Sequence, residues 1–368
     1  MSKKTNVLWP MRRHTQAKHI ILRKYLDAWL PILGAGRSAA EQVVLIDGFA
    51  GPGRYSTGED GSPLIMLKAY LEHSASIAAL PHFFFIEEDA KRCEHLRTEI
   101  ATLSVPSAVE VNVIEASFDI EFPALVDRLR SRFGSLPPTF AFVDPFGADV
   151  LPVALSSPLL QIPRCEVLIY FPVSFLARFG EQPELEPILN SLYGGDHWKV
   201  AAAAGSFEAK KRVLHDLFLD ELRKRVPWVR SFEITPAHEA GGNTYYLVFG
   251  TANPKQGLRK MKDAMWKVDP VGGASFRDST LADHPVLFEE KPDFARLLEM
   301  LRERFGTNWF SIEEAEWFTL VESAFRDNAH LKTSTLRPAE TRGELEVERA
   351  GGKRPGSFTA GTKMRFLQ

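Results

Sequence analysis

Leu45-Ile46-Asp47-Gly48-Phe49-Ala50-Gly51-Pro52-Gly53 is the stretch on which the reading of this chain turns. An apolar run ends in an acid, and a Gly-x-Gly turn follows. A short continuous apolar run predicts a strand buried on both faces, and the acid marks the carboxyl edge of its sheet. Gly51 and Gly53 lack the side chains that would keep backbone N–H groups away from a ligand. The pattern is that of the first strand of a Rossmann-like sheet handing over to a nucleotide-like cofactor.

Working outward, strands and helices alternate. Residues 15–33 have the periodicity of a helix, with Ile20, Ile21, Tyr25, Leu26, Trp29 and Leu30 on one face, ended by Pro31 and Gly34. Strand one is Val43 to Asp47. Residues 62–80 predict a helix with Ser62 as N-cap and Pro63 in its first turn. Further strands are predicted at His82–Ile86, Val109–Ile114, Thr139–Val143 and Glu166–Phe171, with helices at Ala90–Leu103 and Phe122–Phe133 between them. This order predicts a doubly wound α/β domain. Residues 181–230 carry a helical pattern interrupted near Tyr193–Asp196. Thr244–Gly250 predicts another strand and Gln256–Val268 another helix, whose Met261, Met265 and Trp266 suit a core.

After a Gly- and Pro-containing stretch the style changes. Pro292–Phe305 and Ser311–Phe325 predict amphipathic helices, the second with Ser311 and Glu314 spaced as a capping box. Ser334–Glu346 predicts a third. Glu348–Phe366 holds Gly351-Gly352 between two extended pieces. Helices followed by a Gly-turned hairpin are the order of a winged helix-turn-helix, in which the third helix and the hairpin approach nucleic acid. The same order also serves as a small packing or dimerisation domain. The boundaries are therefore 1–40, a basic segment and helix; 41–270, a Rossmann-like domain with a helical insertion at 181–230; 271–291, a linker; and 292–368, the winged helix-turn-helix.

The chain has 368 residues and a formal net charge of -2, so no global field draws it to nucleic acid or membrane. The charge is uneven. Residues 1–24 carry seven basic and no acidic side chains, and residues 331–368 eight basic against four acidic. Both ends could meet phosphates, or both could be solvated surface. Cys93 and Cys165 lie in different predicted elements and fit neither a disulfide framework nor a metal site. No apolar run is long enough to span a bilayer and the N-terminus lacks a signal-peptide core, so the expectation is a soluble cytoplasmic protein without membrane partners.

Three strand ends carry the chemistry. Asp47, with Phe49, Ala50, Gly51 and Gly53, supplies the turn. Glu87 follows Phe83-Phe84-Phe85-Ile86, where a carboxylate can accept from a ribose diol. Asp144-Pro145-Phe146-Gly147 ends the fourth strand, where a reacting group would face the cofactor. A dinucleotide fingerprint reads Gly-x-Gly-x-x-Gly directly after the strand. Here Asp47 comes first, Gly51 and Gly53 stand four and six residues later, and position 56 is Ser. An acid before the turn suits the cationic end of S-adenosylmethionine.

Asp144-Pro145-Phe146-Gly147 resembles the (Asp/Asn)-Pro-Pro-(Tyr/Phe) motif of methyltransferases that act on exocyclic base amines. A base amine is conjugated with its ring and nucleophilically weak. Acceptors for both its N–H bonds, here the Asp144 carboxylate and the Pro145 carbonyl, push the lone pair toward the methyl donor. An aromatic ring, here Phe146, stacks on the base. The chain departs from the motif: the second Pro is absent and the aromatic stands one place early. Asp-Pro and Gly are also ordinary residues of a tight turn.

Several blocks in order resemble the three-Cys-motif partner (TcmP) family: Lys18-His19 with Leu22 and Tyr25-Leu26; Ile46 to Gly53; Gly61-Ser62-Pro63-Leu64; Phe85-Ile86-Glu87; Val143 to Gly147; Tyr245 to Thr251; and Met261 to Asp263 with Met265. The resemblance implies a methyltransferase-like fold with a winged-helix end and a partner bearing three clustered cysteines, and it names no substrate. Lys18-His19 is also similar to a Lys-His pair near the start of certain ribosomal RNA adenine methyltransferases. That likeness implies a place for Lys18 at the cofactor's methionine carboxylate. Ser117 falls where methyltransferases set a residue against the adenine ring. The expectation is S-adenosylmethionine-dependent methylation of a base amine in RNA or DNA. The alternatives are a non-catalytic adaptor to the three-Cys protein in a mobile-element or defence locus, and methylation of a small molecule or protein.

Overall fold

A computed structural model describes residues 7–11, 13–34, 40–145, 158–162, 164–236, 245–268, 275–278, 293–349, 351 and 353–367. The described chain forms two compact units, 1–253 and 254–368.

The first unit is built on strands β1 (Gln42–Asp47), β2 (Leu80–Glu87), β3 (Glu110–Glu115), β4 (Thr139–Val143), β5 (Cys165–Phe171), β6 (Trp228–Pro236) and β7 (Tyr245–Thr251). Their order across the sheet is β3-β2-β1-β4-β5-β7-β6. The first five are parallel, and β7 runs antiparallel to both β5 and β6. The unit is thus Rossmann-like in its first five strands. It departs from a dinucleotide sheet at β7, because there a parallel sixth strand follows the fifth.

Helices cover both faces, as a buried parallel sheet requires. Val44 and Ile46 of β1, with Ala141 and Val143 of β4, pack on Phe118, Phe122, Leu125 and Val126 of α4 (Phe118–Phe133). The opposite face of β4 meets α1 (Arg13–Gly34), whose Tyr25 and Trp29 rings lie 5.3 and 6.1 Å from Phe140. Further α-helices among the described residues of this unit are α2 (Ser62–Leu71), α3 (Ala90–Ala101), α5 (Val173–Phe179), α6 (Glu186–Tyr193) and α7 (Phe207–Arg223).

Several expected boundaries move. Helix α1 continues through Pro31 to Gly34. Pro31 has no N–H for the Asp27 carbonyl four residues back. His73 Nε2 meets that carbonyl at 2.9 Å instead, which is why the proline is tolerated. Helix α2 stops at Leu71, and its N-cap is Gly61 rather than Ser62. The helical pattern expected over 181–230 overruns by three residues, because 228–236 form the strand β6. Phe232 and Ile234 are buried while Ser231 and Glu233 are half-buried, a period of two that the preceding helical pattern hides.

The second unit contains α8 (Gly257–Val268), β8 (Ser275–Asp278), α9 (Phe294–Phe305), β9 (Phe310–Ser311), α10 (Ile312–Glu322), a π-helical stretch (Asp327–Leu336) running into α11 (Arg337–Thr341), β10 (Leu345–Glu348) and β11 (Lys363–Phe366). The last two pair antiparallel, and β11 also pairs with β9. The Ser311–Glu314 capping box forms as expected. The third helical segment begins at 327 rather than 334, and residues 345–348 are strand. Helix α8 belongs to this unit, not to the Rossmann-like one as the 270 boundary supposed. Lys262 explains its attachment. Fully buried, it donates to the carbonyls of Thr319 at 2.7 Å, Leu320 at 2.6 Å and Phe325 at 2.9 Å, closing the carboxyl end of α10. Trp266 Nε1 donates to Ala324 O at 2.9 Å beside it. Most of the expected linker, 271–291, lies outside the described residues, apart from β8.

Candidate functional site

Register brings the three strand ends together. Asp47 pairs with Phe85 on one side and Phe142 on the other. Glu87 and Asp144 each stand two residues beyond those partners, so all three acids reach the carboxyl edge of the sheet, where open α/β sheets place their ligands.

The turn after β1 is tightly bonded. Gly48 N donates to Phe142 O, Phe49 N to Asp47 Oδ1, Ala50 N to Ile86 O and Gly51 N to Glu87 Oε2, at 2.9 to 3.0 Å. Gly51 and Gly53 have φ of +61° and +81°, a region open to glycine. A Cβ on Gly53 would also come within 2.6 Å of Leu96. The sequence expectation was that these glycines expose N–H groups to a ligand. In the structure the N–H groups of residues 48–51 are all spent inside the protein.

Asp47 is fully buried. Its Oδ1 accepts from Phe49 N at 3.0 Å, while Oδ2 has no hydrogen-bond partner among the described residues. The Ser62 hydroxyl lies near enough to favour the charged form but not in geometry to satisfy Oδ2. Burial dominates and pushes the carboxyl up to about 7, with Asp144 and Glu87 adding smaller pushes in the same direction. A buried acid with an unmet oxygen is an acceptor awaiting a cationic or N–H-bearing group.

Glu87 is nearly as buried, and both its oxygens accept from protein donors. Besides Gly51 N at 2.9 Å it accepts from Asp89 N at 2.9 Å and Arg92 Nη1 at 3.4 Å. Its carboxylate therefore clasps the β1 and β2 turns together. Oε2 carries one protein donor and retains capacity for a ligand hydroxyl.

Asp144 meets Lys18. The Lys18 ammonium lies 2.7 and 2.5 Å from the two Asp144 oxygens and 4.1 Å from the Tyr170 ring centroid. Lys18 is 5% exposed, unusually buried for a lysine. His19 beside it is buried with Nδ1 unpartnered among the described residues. Burial first, then Lys18, lowers it to about 3, which keeps the ring neutral. Pro145 is buried, Ser117 is the half-buried residue preceding α4, and Phe49 packs 5.0 Å from Phe118. Phe146 and Gly147 lie outside the described residues.

Two residues at the site escaped the sequence reading. Tyr55 is held well above the ordinary tyrosine range, by burial first and then by Asp144 and Asp47, and its ring lies 5.8 Å from that of His19. Trp9 reaches Gly51: its Cη2 would lie 3.8 Å from a Cβ there. The Trp9 ring meets Tyr55 edge-on at 6.2 Å and carries the Arg92 guanidinium at 5.0 Å, while its carbonyl accepts from Ser56 N at 3.0 Å. Nothing in the local sequence around Trp9 marks it, because the contact spans more than forty residues. Among the described residues no group of His, Cys, Asp and Glu could hold a metal ion, and no helix is long and apolar enough to cross a membrane.

No protein-family model matches the chain, and no curated protein matches it in sequence. Solved structures do. A protein of Legionella pneumophila is 12% identical over 67% of this chain and 88% of its own, with a TM-score of 0.40. An rRNA methylase of Streptococcus thermophilus is 9% identical over 66% and 98%, with a TM-score of 0.32. The O-methyltransferase TomG of Streptomyces achromogenes, solved with SAM, is 19% identical over 64% and 79%, with a TM-score of 0.35.

Proposed function

We propose that this protein binds S-adenosylmethionine at the carboxyl edge of β1, β2 and β4 and transfers its methyl group to an exocyclic amine of a nucleic-acid base. The observation that carries the reading is the contrast between Asp47 and the turn that follows it. A pyrophosphate needs backbone N–H groups, and residues 48–51 have none to give. A cofactor with a cationic methionine end needs a buried acceptor, and Asp47 Oδ2 is one. Glu87 is the acceptor for the ribose diol. Lys18 is the cation for the methionine carboxylate, with Phe49, Ala50 and Ser117 around the purine side.

The cofactor would supply a methyl group on a sulfonium leaving group. The amine that takes up the methyl group would release one proton to solvent. Asp144 and the Pro145 carbonyl accept the two amine N–H bonds and raise the nitrogen's electron density. Phe146 and Gly147 complete that tetrad in this reading. Tyr55, kept protonated, is a donor at the rim of the same site.

The second unit supports a winged helix-turn-helix reading through its order of helix, strand, two helical segments and hairpin. Between β10 and β11 the exposed Lys353 and Arg354 have no carboxylate partner among the described residues, so this wing is the element for phosphate contact. A specific observation favours the adaptor reading as second choice. Asp327, Asp263, Glu316, Glu340 and Glu346 already pair with Arg259, Arg326, Lys332, Arg349 and Arg365. Those ion pairs engage five of the second unit's cations with carboxylates, a mixed-charge surface that suits docking to a protein such as the three-Cys-motif protein. Incubation with methyl-labelled S-adenosylmethionine, with and without that partner, against total RNA, genomic DNA and cell lysate separates the readings. Label in RNA or DNA supports base methylation. Label in protein or small molecules overturns it, and co-purification with the partner without any transfer favours the adaptor.

A further inference from the structure

Asp144, the acceptor the reaction needs, is already engaged. Lys18 donates to both its oxygens, at 2.7 and 2.5 Å, from a side chain only 6% exposed. The flanking α1 residues Ala17, Ile21 and Leu22 are buried against the core, so the helix fixes where the ammonium can reach. An ammonium bonded to both oxygens weakens the carboxylate as an acceptor for a neutral amine, because charge-assisted bonds outcompete neutral ones.

We propose that Lys18 is a positioning residue that couples the two ligands: the carboxylate of the bound cofactor draws Lys18 away from Asp144 and so frees Asp144 for the substrate amine. This rests on the S-adenosylmethionine reading of the site. Lys18 has one ammonium and two carboxylates compete for it, so the two partners are linked. Cofactor then binds before substrate. The substrate amine meets a competent acceptor only in the loaded protein, and the demethylated product, which keeps the carboxylate, holds Lys18 equally well.

The coupling makes an unusual demand. Removing the charge of Asp144 releases Lys18 in advance, so Asp144→Asn binds S-adenosylhomocysteine more tightly than the wild type, by about tenfold, within the usual range of such couplings. The test is calorimetric titration of wild type, Asp144→Asn, Lys18→Met and the double variant with S-adenosylhomocysteine. The same titrations use 5′-methylthioadenosine, which lacks the carboxylate. The expected result is a tightening by Asp144→Asn that disappears in the Lys18→Met background, with 5′-methylthioadenosine bound alike by all four. That last arm also reports an intact adenosine site. A tightening that persists without Lys18 is plain charge repulsion and overturns the coupling, as does an Asp144→Asn variant that binds no better than wild type. Wild-type protein that binds neither ligand overturns the cofactor reading itself, a distinct outcome.

Discussion

The Glu87 carboxylate holds the Gly51 N–H at 2.9 Å, and through it the β1 turn is tied to the end of β2. Asp89 N and Arg92 complete its set of donors. Glu87→Ala strands these groups in a buried place, where each unmet donor costs about 1–3 kcal/mol. The expected outcome is a loss of at least that much stability in denaturant unfolding, together with weaker S-adenosylhomocysteine binding. Glu87→Gln retains acceptor capacity on one oxygen and should lose less of both.

Asp47 makes stability depend on pH. Its ordinary value is 3.8 and its folded value about 7, so between these the folded chain keeps a proton that the unfolded chain has released. Stability from this group therefore falls as pH rises from 3.8 through 7 and is level above. The full swing is at most about 4 kcal/mol. Asp47→Asn removes the titration: its melting temperature should exceed that of wild type by most at about pH 8 and converge toward about pH 4. Equal pH profiles for the two proteins would show that Asp47 does not carry this burden.

Asp27, Pro31 and His73 form a local compensation. Because Pro31 gives the Asp27 carbonyl no N–H, His73 supplies the bond at 2.9 Å. His73→Ala should cost about 1 kcal/mol. Adding Pro31→Ala restores an N–H to the helix and should recover most of that loss, a non-additivity measurable by a double-mutant cycle.

Lys262 is the equivalent device of the second unit. With three carbonyls at 2.6 to 2.9 Å and no solvent exposure, it closes the end of α10. Lys262→Met keeps the stem and abandons the carbonyls. The expected loss is about 3 kcal/mol or more, read as lowered hydrogen-exchange protection in residues 312–325.

The strands that position the site are legible in the sequence because each is a continuous apolar run ending in Asp47, Glu87 or Asp144. Local pattern also reads the Ser311–Glu314 capping box. What sequence misses depends on distant partners. Lys18 and Asp144 are 126 residues apart, and nothing near either announces the other. The glycine turn reads as an N–H donor because its internal acceptors, Phe142 O and Ile86 O, lie on other strands. Helix α1 is expected to stop at Pro31 because His73, which makes the proline tolerable, comes from a later segment. Helix α8 is assigned to the wrong unit because Met261, Met265 and Trp266 show only that one face is buried, not against what.

The central claim is a cofactor whose cationic end meets Asp47, and calorimetric titration with S-adenosylhomocysteine in two buffers of different ionisation enthalpy, between about pH 6 and pH 8, tests it most directly. Binding of a cation to the buried acid draws it into the charged form, so protons leave as ligand enters, most strongly below the folded value of about 7. The account predicts one ligand per chain, buffer-dependent heat of that sign, and affinity that rises toward about pH 8 and drops at least tenfold in Asp47→Asn. Absence of binding at saturating ligand, or binding indifferent to Asp47→Asn, would contradict it.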